Sequence, residues 1–483
     1  MTDNAEQISL PKRILGAMFN FGVSNVMTKI IGFLLIPVYT RYLDPTDYGI
    51  VELCGALSAF VIIFMRLGVP GAVNRFYFDY KSDPNKLNDY ITTIHHLLVF
   101  ATITLGIIIG VIVYLFSETI LSGVLFFPFI LLTLINAGFS ANSDLQKRLL
   151  QSKEKSAYMA KLNISLAIVG IGLALLFVVV FKMGALGLML SQSATTFVFF
   201  IQAQYYLRNY LKGKFNWGML KDSLKYGAGL LPHHLFAVLA PLMSKGILNS
   251  KESLAALGVF ALAIRFTQPL DIIYDIFMVS FNPIYFSLRK NQENQKIRTV
   301  YRSVWYISIA VYMLVAIILP SIIPLITPER FHQSAHLIPI LALGFLGQVL
   351  YSLFLIENYF DKNTRFISLV TGTGLAINLL VTLLTVDRFG VYAVAMASAA
   401  GFITWSIMGY VFSKKHFLNY IDLKTIAIGL LVIIPVFIVA IYTPLDAFMI
   451  RFALLALGFG AIVLFNYNHF TKVVTIIRNK GMQ

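Results

Sequence analysis

The segment Thr40–Asp79, TRYLDPTDYGIVELCGALSAFVIIFMRLGVPGAVNRFYFD, decides how this chain is built. It opens on Asp44, Pro45 and Asp47, residue types that favour turns. About twenty apolar residues follow, Tyr48 to Leu67, enough to cross a hydrocarbon core of roughly 30 Å. Glu52 sits inside that run and Arg66 near its end. A charge at the centre of a membrane helix costs roughly 2.5–3.5 kcal/mol on insertion scales, so such residues are expected to face a wet interior. The run closes on GVPG (68–71) and the basic-aromatic strip NRFYFDY (74–80). It reads as a transmembrane helix that carries charge into a cavity, its far end in the cytoplasm.

The composition agrees. Of 483 residues 58% are hydrophobic and 12% charged, the balance of an integral membrane protein and not of a soluble globule. The net charge of +16 does not indicate nucleic acid as a partner, because the basic residues form no patch or tail but fall in alternate loops. The single cysteine, Cys54, lies within a span, excludes an internal disulfide and reads as a buried structural thiol. Lys12 and Arg13 precede an apolar run longer than the core of a signal peptide, so no cleavable signal is expected.

Apolar runs of bilayer length number about fourteen. The first seven are 14–40, 47–68, 89–114, 120–143, 158–181, 184–207 and 224–247. The second seven are 253–287, 299–325, 336–360, 365–386, 389–412, 424–443 and 446–467. Span 8 contains Pro269 and Pro283 and is expected to kink or to extend into the cytoplasm. One set of alternate loops, with the N-terminal tail, holds 28 of the 38 Lys and Arg; the other holds seven, Arg41, Lys182, Lys245, Lys251, Arg330, Arg388 and Arg451. The positive-inside rule therefore puts both termini in the cytoplasm. Three cations are left over, Lys29, Arg66 and Arg265.

The chain also repeats itself. KMGALGLMLSQSATTF from Lys182 matches RFGVYAVAMASAAGF from Arg388 at an offset of 206 residues. Tyr48-Gly49-Ile50-Val51 matches Leu257-Gly258-Val259-Phe260 at an offset of 209. Two joints with nearly equal offsets predict two parallel six-helix bundles, spans 1–6 and 7–12, related by an axis along the membrane normal, with two helices appended. The expected divisions are 1–207, 208–412 and 413–483. Outer loops are short and leave no room for an extracytoplasmic domain. WGMLKDSLKYG (217–227) is a basic amphipathic stretch expected at the cytoplasmic interface.

Lys29 lies about sixteen residues into span 1, near the midplane and too deep to snorkel; Asn25 is one turn away on the same face. Arg265 lies about twelve residues down span 8 and borders a face carrying Gln268, Asp271 and Asp275. The competing reading of that wedge is an internal salt bridge that neutralises its own charges. An interfacial anchor competes for Arg66, a hydrogen-bonded structural acid for Glu52, and Glu357 reads as an interfacial acid. The pairs His95-His96 and His233-His234 read as scaffolding, since adjacent histidines do not present both rings to one metal ion. No phosphate-binding loop, nucleophile elbow or dinucleotide fingerprint occurs, so an ATPase or hydrolase is unsupported.

The LDPTDYGIVEL segment (43–53), followed by LGVPGAVNRFYF (67–78), resembles the second helix of the polysaccharide and oligosaccharide flippases. These belong to the multidrug/oligosaccharidyl-lipid/polysaccharide exporter (MOP) superfamily. The resemblance implies two bundles closing alternately around a cationic cavity in a bacterial or archaeal cytoplasmic membrane. The cargo it implies is a polyprenyl-(pyro)phosphate-linked oligosaccharide, with membrane lipids and polysaccharide polymerase machinery as further partners. Because the sequence carries no nucleotide-binding motif, no cofactor is expected beyond a coupling ion, H+ or Na+. In related flippases of the peptidoglycan precursor the cations lie on helices 1, 2 and 8, which by helix and depth are Lys29, Arg66 and Arg265. Span 1 departs from that pattern, with one lysine where those relatives carry arginines, and this weakens the peptidoglycan precursor as cargo.

The residues themselves point the same way. A phosphate cannot cross hydrocarbon uncompensated, and Arg offers its oxygens a bidentate fork. Asn25 and Gln268 would line the cavity, and Glu52, Asp271 and Asp275 are the candidates for ion coupling. The alternatives are a multidrug/cation exporter of the same fold, which would favour an acidic cavity, and a glycan polymerase or ligase, which would need a sizeable outer loop.

Overall fold

The structure, a computed structural model, describes Met27 and residues 31–360, 367–417 and 423–465. The chain passes from α1 (Ile36–Tyr42) through Leu43 into α2 (Pro45–Arg66). The turn-forming residues set this start. Asp44 accepts the Asp47 N–H at 2.8 Å, and Asp47 Oδ2 accepts the Asp44 N–H at 3.1 Å, a reciprocal cap with Pro45 in the first turn. Asp47 Oδ1 also accepts the N–H of Ala185 at 2.7 Å, tying the second span to the joint between the fifth and sixth.

α2 stops because Leu67 and Gly68 turn left-handed, with φ of 49° and 70°. That elbow starts α3 (Val69–Tyr80), with Pro70 in its first turn. Gly68 is required twice over, by its φ and by contact, since a Cβ there would overlap the carbonyl of Gly227.

Two compact units follow from the packing, Met1–Gly258 and Val259–Gln483. The first continues with α4 (Pro84–Ile120), a π-type turn at Phe126–Ile130, α5 (Leu131–Ser152), α6 (Ser156–Ala174), α7 (Gly184–Leu207) and α8 (Trp217–Lys251). α5 lies at its centre, against α2, α3, α4 and α7, while α8 packs on α2, α3 and α4. Tyr90, Ile91, Ile94 and Leu149 anchor a buried cluster where α3, α4, α5 and α7 meet. WGMLKDSLKYG forms the start of α8, capped by Asn216, with Leu220 and Ser223 buried and Lys221 and Lys225 exposed.

α9 (Leu254–Lys290) leads into the second unit and runs through Pro269 and Pro283 as one helix. Then come α10 (Asn294–Ile326), α11 (Ser334–Phe360), α12 (Ile367–Phe389), α13 (Val391–Phe417), α14 (Leu423–Tyr442) and α15 (Phe448–Phe465). α13 packs along α11 and α12, and both α14 and α15 lean on α10. Among the described residues eleven helices are long and apolar enough to cross a bilayer, matching spans 2–6 and 8–13. Span 7 lies within α8, α15 lies within span 14, and most of span 1 lies outside the described residues.

Both matched joints have a structural counterpart. Gly184 and Gly390, 206 residues apart, adopt the same left-handed conformation, with φ of 58° and 52°. Gly49 and Gly258, 209 apart, take part in one reciprocal contact: a Cβ at Gly49 would overlap the Leu254 carbonyl, and one at Gly258 the Pro45 carbonyl. Pro45 and Leu254 are themselves 209 residues apart, so the crossing of α2 with the start of α9 is locally two-fold.

Candidate functional site

Where α2 ends and α5 runs on toward Ser152, the two helices bring three cations around one carboxylate. Asp144 is buried. Arg66 Nη2 stands 3.8 Å from its Oδ1, and Arg148 Nε 3.3 Å from its Oδ2. Lys147 shares the field of all three groups and rests its ammonium 4.6 Å from the centroid of the Phe199 ring. Three positive charges against one negative leave the cluster cationic, in surroundings where weak screening makes the excess count. Polar capacity is also left open. Among the described residues, the buried Arg66 Nε has no hydrogen-bond partner, and neither amide atom of the buried Gln146 has one. An oxyanion is the group that would accept from Arg66 Nε and Gln146 Nε2.

The second unit carries the wedge on α9. Arg265, Asp271 and Asp275 are exposed, and Gln268 is half-buried. Their spacing puts Gln268, Asp271 and Asp275 on one helical face. Lys29 and Asn25 lie outside the described residues.

Glu52 has a partner that charge counting along the sequence did not supply. Lys245 Nζ of α8 donates to Glu52 Oε1 at 2.6 Å, with both side chains only 12–13% exposed. Lys245 is thus not a loop cation: it lies six residues inside the end of α8 and balances an acid of α2.

The amino-acid sequence from residue 17 to residue 288, more than half of the chain, matches the family model described as polysaccharide biosynthesis protein. The chain belongs to this family. No curated protein sequence matches it. Among solved structures, this family member resembles the lipid II flippase MurJ in an inward closed conformation, at 15% identity and a TM-score of 0.65 over 93% of this chain and 99% of that one. It resembles a multidrug resistance MATE family transporter of the MOP superfamily in an inward-facing conformation, at 13% identity and a TM-score of 0.62 over 81% of this chain and 98% of that one. An outward-facing MATE structure matches at 14% identity and a TM-score of 0.56 over 86% and 98%. At these identities the likeness is one of fold.

Several other polar groups of this polysaccharide-biosynthesis family member prove structural. Arg451, expected in an outer loop, is buried in α15, and its guanidinium donates to the carbonyls of Ile317 (2.9 Å), Thr443 (2.7 Å), Pro444 (3.2 Å) and Ala440 (3.4 Å). Glu357, expected as an interfacial acid, is fully buried and accepts from Tyr285 Oη and from Arg289 Nε at 3.2 Å. His95 pairs with Gln204 at 2.7 Å and His96 with the Thr92 carbonyl at 2.7 Å, as scaffolding histidines should. Cys54 is a buried free thiol. Lys147 and Arg148 are the site residues missed in the sequence, where they count among the cytoplasmic loop cations; a helix running on to Ser152 and the lone Asp144 would have been the signal.

Proposed function

We propose that the chain moves a polyprenyl-(pyro)phosphate-linked oligosaccharide from the inner to the outer leaflet for surface polysaccharide assembly. The observation that carries this reading is the cationic excess at Arg66, Lys147 and Arg148 around Asp144, in a member of the polysaccharide biosynthesis family. Phosphate oxygens complete those donors, and Lys29 and Arg265 add charge for the head group as it crosses. Turnover is alternating access of two repeats, driven by an ion gradient, with Glu52, Asp271 and Asp275 as coupling groups. The cargo is held and moved without bond chemistry, so the protein acts as a transporter and not as an enzyme, alongside the polymerase machinery that consumes the glycan.

The test is a deletion strain. Its lipid-linked glycan should accumulate on the cytoplasmic face of the membrane, protected from a glycosidase added outside, and should return to the outer face on complementation. Equal outer exposure in the deletion strain would count against the proposal. A multidrug exporter of the same fold would instead change the strain's tolerance of organic cations.

A further inference from the structure

The first unit contains a cleft of about 900 Å³ between α4 and α5. Ile103, Ile107 and Val111 of α4 form one wall and Leu131 and Ile135 of α5 the other. From Val99 to Tyr114 the lining follows α4 through fifteen residue-to-residue steps, about 22 Å of helix. Ile103, Ile107 and Val111 are each more than half exposed, so the walls are open to an apolar medium, not sealed within the protein.

One end of the cleft is polar. Thr102 and Asn142 close it beside Met65, whose neighbour in the chain is Arg66. Asn142 donates to Thr102 Oγ1 at 2.9 Å, and its own buried Oδ1 has no partner among the described residues. Lys147 and Arg148 lie one to two turns further along α5, on the way to the cytoplasm. An apolar slot therefore runs up to an end adjoining three cations and one acid.

Length decides between the lipids that could fill it. One leaflet offers about half of a core of roughly 30 Å, so an ordinary acyl chain, held to its own leaflet, leaves part of the cleft bare. A long isoprenoid chain crosses the midplane and fills it. We infer that the cleft between α4 and α5 is a docking groove for the tail of a polyprenyl phosphate, whose phosphate rests at Arg66, Lys147 and Arg148. This deepens the proposed function and rests on it for the class of cargo. The tail stays in an apolar groove of the first unit while its phosphate is held at that unit's cations.

The full-length protein in nanodiscs, photolabelled with a long polyprenyl monophosphate bearing a diazirine on the isoprene unit about 22 Å from its phosphate, the length of the cleft, provides the test. Label should appear near Tyr114 and Phe126, be displaced by unlabelled polyprenyl phosphate, and survive excess phosphatidylglycerol. Ile107→Trp and Ile135→Trp, which fill the groove, should each cut labelling by about tenfold, close to 1.4 kcal/mol of binding. Ile168→Trp, on an exposed face of α6, should leave it unchanged, and gel filtration of each variant reports its fold. Displacement by phosphatidylglycerol would make the groove a site for bilayer lipid and overturn the inference. So would label confined to other helices while glycan transport persists, which spares the cargo reading. Wild-type protein that neither binds this probe nor moves any polyprenyl-linked glycan would sink the cargo reading itself.

Discussion

Gly49 and Gly258 stand at equivalent places in two repeats, and each accommodates the backbone of the other's helix. Gly49 receives the carbonyl of Leu254 and Gly258 that of Pro45. Such close approach needs the absence of a Cβ at both positions, as at other small-residue helix crossings in membranes. Gly49→Val and Gly258→Val should each force the helices apart, with overpacking of roughly 1–3 kcal/mol. The measurement is disulfide formation between Pro45→Cys and Leu254→Cys in a Cys54→Ser background. The pair should crosslink readily with both glycines in place and poorly with either valine. Crosslinking that ignores the valines would refute the contact.

The ion pair of Glu52 with Lys245 separates coupling from architecture. Removing one partner from a mostly buried pair leaves an uncompensated charge at roughly 3–5 kcal/mol, so Glu52→Gln and Lys245→Met alone should lower protein level and export together. The double variant should recover protein level but not export if Glu52 also carries the coupling ion. Recovered export would reduce the pair to a structural tie.

Arg451 should behave as a stability residue. It satisfies carbonyls at the end of α14 that have no partner within that helix, and hydrocarbon offers them no water. Each buried orphan costs roughly 1–3 kcal/mol, so Arg451→Ala should lower the thermal midpoint in detergent by many degrees. Arg388→Ala, at an exposed position, should shift it little.

These residues mark how far the sequence could be read. Caps, elbow and repeats are local, so Asp44, Asp47, Gly68 and the paired glycines were visible as patterns with mechanisms behind them. Positive-inside counting assigns a side to each basic residue but carries no burial. It therefore treated Lys245 and Arg451 as loop charges although one faces an acid of α2 and the other the carbonyls of α14. Asp144 with Lys147 and Arg148 escaped for the opposite reason: α5 continues past the apolar run, so charges counted as loop are helical and packed.

Arg265 is the cation of the second unit on which the head-group reading leans. Charge-assisted hydrogen bonds contribute roughly 1.5–3 kcal/mol, so Arg265→Ala should cut export by about tenfold or more with protein level unchanged. Arg265→Lys should keep part of the activity, since the charge remains and the fork does not, and Arg265→Glu should be inactive. The internal control is Arg265→Ala combined with Asp271→Asn or Asp275→Asn. Rescue of export by either would make Arg265 a partner of the acid and not of the cargo.

The central claim is that an anionic lipid-linked glycan is what crosses. Purified protein in liposomes, given a fluorescent polyprenyl-pyrophosphate oligosaccharide in one leaflet and an ion gradient, tests it directly through the fraction that becomes accessible to a membrane-impermeant quencher on the other side. The expected result is gradient-dependent transfer that Arg66→Ala and Arg265→Ala each slow by about tenfold or more. Liposomes that never transfer the glycan, yet extrude an organic cation dye under the same gradient, would contradict it.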